Sequence, residues 1–286
     1  MPARTGMTMR PKLHDITLVA ATSVALPATL SALLHSRNHA DFGQTLLLSD
    51  QKPPGWNGSG IEWRQIDPIT SHDEYSRFIL NHLCDHIETR HALVVQWDGF
   101  VRDGTAWSDE FLDYDYIGAP WPQYHDHMNV GNGGFSLRSR KLLAATANID
   151  PNGDPEDFAI CRTHRVRLEN QYGLRFADMD VATRFSYERG ESTGLQFGFH
   201  GVFNMRAELP AWVFRSLVSG LEPGVIGPRE TSELLVRAVR AGDWRMAGML
   251  LRHHHSHPGR ARRLLRILGW LMRGHDGWPA PRERKR

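Results

Sequence analysis

The chain has few features that would assign it at a glance. Only two cysteines, Cys84 and Cys161, occur in 286 residues. That is too few for a disulfide framework, and they lack the paired spacing of a zinc site. Each reads as a small buried apolar side chain. No Gly-Lys-Ser/Thr follows its glycine-rich segment, which excludes a Walker phosphate loop. Ile16–Leu34 is uncharged over nineteen residues, close to a membrane span, but it holds five Ser/Thr residues and Pro27. It therefore reads as a buried strand followed by a helix. Arg10 and Lys12 precede too weak an apolar region for a signal peptide, so the expected location is cytoplasmic.

Net charge is also nearly absent, at +2, but it is unevenly placed. Residues 258–286 hold nine Lys/Arg against two acids, an excess of seven, which leaves the remainder at about −5 by subtraction. The basic character belongs to the tail, and nothing elsewhere suggests a nucleic-acid partner. Within it, residues 260–273 interleave arginines with Leu264, Leu265, Ile267, Leu268, Trp270 and Leu271. Two readings stay open: a basic amphipathic helix lying on the inner membrane face, or a helix packed on the domain with a disordered tail from Gly277. His253–His257 reads as a solvated linker.

What is present is an ordinary globular composition, 41% hydrophobic and 23% charged, sufficient for a sizeable core. Met1–Leu13 lacks periodicity and reads as a flexible arm. Ile16–Val24, Gln44–Leu48, Ile61–Ile66 and Ala92–Gln96 are strand candidates, the first, second and fourth continuous and apolar as in buried parallel sheets. Ala28–Arg37 has helical spacing with Pro27 in its first turn. Ser71 and Glu74 form a capping-box pattern for a helix expected to run to about Glu88. Further on, Arg138–Ala147 and Asp157–Tyr172 read as helices, and Arg175–Ala177 and Arg184–Ser186 as short strands. Trp212–Val218, Glu233–Ala241 and Arg245–Leu251 read as C-terminal helices. The alternation predicts an α/β fold with a mostly parallel sheet flanked by helices, whose ligand sits at the carboxyl ends of the strands. Asp50 and Gln96-Trp97-Asp98 lie at two such ends.

Four segments can carry chemistry, each with a plainer alternative. Asp98, rigidly held after an apolar strand, can bind a hard divalent cation or merely satisfy turn amides. Gly131-Asn132-Gly133-Gly134 allows close backbone approach, and Trp121 offers an apolar face for a sugar; the alternative is a hairpin with a core tryptophan. Glu156-Asp157 opens a helix, where acids also serve as dipole partners; adjacent helical residues diverge, so at most one faces a cleft. His200, between glycines, can ligate a cation or phosphate, or be structural.

In combination, LVVQWDGF, DYDYIGAPW, VGNGGFSLRSRKL, EDFAICR and FGFHGVFN resemble a bacterial and fungal family of uncharacterised proteins related to GT-A glycosyltransferases. The resemblance covers roughly Thr17 to Asn204. It implies a GT-A-like domain over 14–208, C-terminal helices over 209–257 and a basic segment from 258. It further implies a hexosyltransferase-type enzyme that moves a sugar from a nucleotide-diphosphate donor to a glycan or other hydroxyl acceptor. Asp98 matches the last acid of the metal-binding Asp-x-Asp motif, with Gln96 where the first Asp usually stands. His200 matches the late metal-ligating histidine, and Asp157 the catalytic base. Asp50 resembles the acid that contacts the nucleotide. Gly133 and Gly134 fall on the donor side; Trp121, Asn132 and Glu156 on the acceptor side.

The resemblance implies a cation, Mn²⁺ or Mg²⁺, that neutralises the departing diphosphate, while Asp157 takes the acceptor's proton. An aspartate begins near pKa ~3.9, so it needs a desolvated setting. The rivals are a non-catalytic nucleotide-sugar or glycan-binding module on the same fold, and a phosphoester hydrolase, which would need more clustered ligands. The leading reading requires Asp98, Asp157 and His200 to share one pocket.

Overall fold

The computed structural model describes residues 10–58, 60–190 and 192–255, with 262, 263, 265, 267 and 269 beyond them. By its internal contacts the chain divides into two compact units, Met1–Gly201 and Val202–Arg286.

The first unit is built on a six-stranded sheet ordered β3-β2-β1-β4-β7-β6. Its strands are β1 (Lys12–Ala21), β2 (Asp41–Ser49), β3 (Glu62–Gln65), β4 (His91–Val95), β6 (Tyr116–Ile117) and β7 (Phe135–Ser139). The pairs β1–β2, β1–β4 and β2–β3 are parallel, whereas β7 runs antiparallel to both β4 and β6. Helix α1 (Leu26–His39) has Pro27 in its first turn. Helix α2 (His72–Asn81) has the expected capping box, Glu74 N donating to Ser71 Oγ at 3.2 Å and Ser71 N to Glu74 Oε2 at 3.1 Å.

Side-chain alternation along β1 buries both faces of the sheet. Leu18 and Ala20 join Leu26 and Leu33 of α1 in one core cluster. Val19 and Ala21 join Ile79 of α2 in another. That double burial is why these strands read as continuous apolar runs. Strand order reverses between β1 and β4, which opens a crevice at their carboxyl ends, and Gln96–Asp98 follows β4 directly.

A small second sheet, β5-β9-β8, joins β5 (Phe100–Val101), β8 (Ser186–Tyr187) and β9 (Gly198–Phe199). The remaining helices of this unit are α3 (Arg140–Thr146), α4 (Glu156–Phe158), α5 (Arg165–Tyr172) and α6 (Met179–Phe185).

Several boundaries differ from the sequence reading, each for a local reason. β1 begins at Lys12, ahead of the expected start at Ile16; residues 1–9 lie outside the described residues. α2 stops at Asn81, whose amide donates to the carbonyls of Thr146, Ala147 and Ile149 at 3.0–3.3 Å. A tight turn over Leu83–His86 replaces its last expected turns. Arg138 and Ser139 end β7 rather than begin a helix, because the Ser139 hydroxyl accepts from Leu142 N at 3.0 Å and so caps α3.

The single helix expected over Asp157–Tyr172 is interrupted by a wide turn over Ala159–Thr163, in which His164 N donates to Ala159 O at 2.8 Å. Such widened turns shift the face that the preceding residues present. Arg184, expected in a strand, lies in α6, whose cap is Asp178 accepting from Val181 N at 2.9 Å. Phe176 does pair with the sheet, through a parallel bridge to Tyr116.

The second unit is helical: α7 (Met205–Glu208), α8 (Ala211–Ser219), α9 (Pro228–Arg240) and α10 (Trp244–His255). Arg215 pairs with Asp243 at 3.0 Å, and Asp243 Oδ1 accepts from Met246 N at 3.1 Å. His253–His255, expected in a linker, instead complete α10, with a His253 ring nitrogen 3.1 Å from Val218 O. Only 262, 263, 265, 267 and 269 of the segment 260–273 are among the described residues, and the tail from Gly277 lies outside them. Among the described residues, no helix is long and apolar enough to cross a membrane.

Candidate active site

Two sheets converge on the residues after β4. Gln96 N donates to Gly134 O at 2.9 Å, which continues the β4–β7 pairing by one residue. In the small sheet Phe100 is opposite Phe199, and Tyr187 is opposite Phe199 on the other side. Backbone bonds then fix the residues just beyond: Gly201 N to Asp98 O and His200 N to Tyr187 O, both at 3.0 Å. Residues distant in the chain, Gln96, Asp98, Glu188 and His200, are thereby assembled around one imidazole.

That ring is held on both edges. Nε2 lies 3.2 Å from Asp98 Oδ1 and 3.2 Å from Gln96 Oε1. Nδ1 lies 3.5 Å from Glu188 Oε1 and 3.1 Å from Asn132 Nδ2. Burial pulls the His200 pKa down, but the charges and hydrogen bonds of Asp98 and Glu188 prevail and push it up to about 10. Burial likewise pushes Glu188 up; the His200 hydrogen bond and charge outweigh it, so Glu188 lies below its ordinary value.

Asn132 adopts a left-handed φ of 69°, which a short amide side chain tolerates. Its Oδ1 accepts from Gly134 N at 3.1 Å and Phe135 N at 3.3 Å, which turns Nδ2 toward His200. The two glycines that follow leave room for side chains. A Cβ on Gly134 would come within 2.1 Å of His200 Nε2, and one on Gly133 within 1.8 Å of Glu156 Oε1. Their close approach is to protein groups. Gly134→Ala therefore displaces the imidazole from Asp98 and costs about 1–3 kcal/mol of stability by overpacking. Thermal melting and the ring's NMR signals check this; an unmoved His200 resonance would refute it.

Asp157 forms the opposite wall. Its Oδ2 accepts from Gly133 N at 3.0 Å and its Oδ1 from Phe158 N at 2.8 Å. Burial and then the neighbouring Glu156 charge raise its pKa to about 7, against the pull of those two amides and Arg138. Glu156 is turned toward Arg138, Nη2 to Oε1 at 2.9 Å, and both are buried. Arg138 also donates to Ser136 Oγ at 2.9 Å and stacks over Tyr116 at 5.4 Å.

A cavity of about 260 Å³ opens between these walls. Gln96, Asn132, Gly133, Gly134, Glu156, Asp157, Glu188 and His200 line it, joined by Tyr75 and Ser76 from α2. Asp157 and His200 therefore share one cavity. Asp98, 8% exposed, is connected to it through its contact with His200. Two expected site residues stand apart. Asp50 follows β2, where its carbonyl accepts from Gln65 Nε2 at 3.4 Å, and it does not reach the cavity. Trp121 is packed in the core against Gly131, Tyr124 and Phe158, so its face is covered by protein.

Sequence reasoning missed Tyr75, Ser76, Arg138 and Glu188. The capping box locates α2 but not the side it turns to the cavity, and nothing in Ser186-Tyr187-Glu188-Arg189 marks Glu188. Burial pushes the Tyr75 phenol well above its ordinary range, so it stays a neutral donor.

Among the described residues no group of three or more His, Cys, Asp or Glu side chains is arranged to hold a metal. The set at His200 is instead one histidine, one aspartate and one glutamine carbonyl. In an octahedral shell with ligands about 2.1 Å from the ion, neighbouring donors are roughly 3 Å apart. The 3.2 Å separations of Nε2 from Asp98 Oδ1 and Gln96 Oε1 are those of an ion pair and a hydrogen bond, a spacing such a shell shares. A ligating ring gives up its Nε2 proton.

Comparison with known proteins adds little about chemistry. A family model described as "Protein of unknown function (DUF5672)" matches residues 61–200. No curated protein matches the chain. A solved structure similar to it is the apo-form glycosyltransferase GlyE of Streptococcus pneumoniae TIGR4, at 14% identity and a TM-score of 0.40. The alignment covers 64% of this chain and 53% of that one, so this chain spans about half of that protein's length.

Proposed function

We propose that this protein transfers a sugar from a nucleoside-diphosphate sugar to an acceptor hydroxyl, with Asp157 as general base. One observation carries the reading: a carboxylate raised to about 7 faces the same 260 Å³ cavity as the Gln96–His200 donor set. A base is most effective when its pKa lies near the working pH, and burial supplies what an ordinary aspartate lacks.

The cavity's charge supports a cation-linked donor. Among the described residues its lining includes Asp73, Glu156, Asp157 and Glu188 but no lysine or arginine. A bare diphosphate would meet net negative charge. His200, Asp98 and Gln96 are the residues that would hold a divalent ion. When bound, that ion supplies Lewis-acid neutralisation of charge on the departing diphosphate.

The protein's own groups do the rest. Asp157 receives the acceptor proton as the hydroxyl attacks the anomeric carbon and the bond to the diphosphate breaks. The amides of Gly133 and Phe158 hold both of its oxygens in one orientation, which preserves attack geometry. Arg138 neutralises Glu156, so the added charge of a second carboxylate does not suppress ionisation of the base entirely.

A thermal-shift screen of nucleotide sugars, with and without Mn²⁺, tests the reading. A donor at a hundred times its Kd stabilises the folded state by about 2.7 kcal/mol and raises the melting temperature by several degrees. The shift should require Mn²⁺, and slow Mn²⁺-dependent donor hydrolysis should be abolished by Asp98→Ala. Binding without hydrolysis or transfer would favour a non-catalytic binding module. No shift with any nucleotide sugar would remove the proposal.

A further inference from the structure

The two units differ sharply in charge. Val202–Arg286 holds sixteen Lys/Arg against seven acids, a net +9, which leaves Met1–Gly201 at −7 by subtraction from +2. Much of the excess falls in residues 258–286, but Arg245 and Arg252 of α10 belong to it too, and both are exposed.

The same unit exposes large apolar side chains. Among the described residues Trp212 and Trp244 are the only exposed tryptophans, at 71% and 70%. Each sits on a helix whose other side is already buried. Phe214 and Val218 form the buried side of α8, and Trp212, two residues before Phe214, falls on the opposite side. In α10, Met246, Ala247 and Leu250 are buried, whereas Trp244, Gly248 and Leu251 recur at helical spacing on the exposed side. A Cβ on Gly248 would meet nothing within 4 Å. An ion pair ties the two helices together: Arg215, one turn after Trp212, meets Asp243, the neighbour of Trp244, at 3.0 Å.

Single exposed aromatic residues are ordinary on protein surfaces. Two tryptophans and Leu251, on helices joined at one ion pair and flanked by Arg245 and Arg252, combine rings that gain by leaving water with cations that gain from an anionic neighbour. A lipid headgroup layer supplies both at once. Tryptophan favours the boundary between headgroups and acyl chains, arginine stems lie along apolar surface while their heads stay wet, and an anionic leaflet attracts each cation. A nucleic acid would use the charge and leave Leu251 in water. A second copy would set +9 against +9.

We propose that this face of α8 and α10 docks on an anionic lipid surface, with Trp212, Trp244 and Leu251 entering the headgroup boundary and the arginines pairing with lipid phosphates. The contact is independent of the reading of the cavity.

The test is co-flotation of the full chain with vesicles of equal parts phosphatidylglycerol and phosphatidylcholine, against phosphatidylcholine alone. Wild type should float with the anionic vesicles only, and less at high salt, which screens the arginines. Trp212→Ser combined with Trp244→Ser should bind at least about tenfold more weakly, since two large rings no longer leave water. Its melting profile should be unchanged, because both rings are already exposed. Arg245→Glu combined with Arg252→Glu keeps the rings and should also lose flotation. No flotation of wild type overturns the proposal. So does flotation that survives loss of both rings, which would assign the contact to charge or to residues 260–273 alone. A wild-type dimer that the tryptophan substitutions convert to monomer, seen by sedimentation, would make a second copy the occupant and overturn it as well. Should the tryptophan variant fail to fold, the arginine variant decides: lost flotation supports this face as the contact, and unchanged flotation overturns it.

Discussion

Asp157→Asn lowers kcat by about three orders of magnitude, within the 10²–10⁴ range typical of a positioned general base, while donor binding persists. The substitution keeps the side chain's size and removes the carboxylate proposed to accept the acceptor's proton. Steady-state transfer kinetics alongside donor titration measure both halves of the expectation; parallel loss of binding and turnover would give Asp157 a structural role instead.

Its pH behaviour gives a second readout. Turnover by the wild type rises with pH through about 7 as Asp157 ionises, and the variant's residual rate loses that limb. Stability moves the opposite way. Because the folded-state pKa is raised above its unfolded value, the folded chain keeps a proton that the unfolded chain has released. Stability therefore falls as pH rises from the unfolded pKa near ~3.9 toward about 7. Asp157→Asn removes this contribution to the slope, which denaturation at pH 5 and pH 8 detects.

Arg138→Met is expected to cost about 3–5 kcal/mol, the usual penalty for leaving one charge of a buried pair uncompensated. Arg138 is 0% exposed and its side chain meets Glu156 at 2.9 Å. Adding Glu156→Gln to the same chain should recover much of the loss, because the two substitutions act on one interaction. Denaturant midpoints of the single and double variants measure this. Simple additivity would show that Arg138 acts through its stack on Tyr116 rather than through Glu156.

Much of the central sheet was legible because its signals are local. Buried strands of continuous apolar residues, Pro27 in a first turn and the Ser71–Glu74 box each report on the few residues around them. Boundaries failed where a side chain made a longer-range commitment. Asn81 spends its amide on carbonyls 65 or more residues away, and the helix ends there. The wide turn at Ala159–Thr163 keeps helical composition, so periodicity could not reveal the break. Asp178 is a cap that the strand-like reading of Arg184–Ser186 overlooked.

For the candidate site, the sequence alone determined which types of residue were available: Gln96 and Asp98 after a strand, the glycines, Glu156-Asp157 at a helix start, and His200. It could not decide which of them meet. Strand pairing decided that, by drawing residues 96, 98, 188 and 200 around one ring and by turning Trp121 into the core. Desolvation, which raises Asp157 to about 7, belongs to the walls that surround a carboxylate. Those walls come from distant segments, and only the tertiary structure closes them.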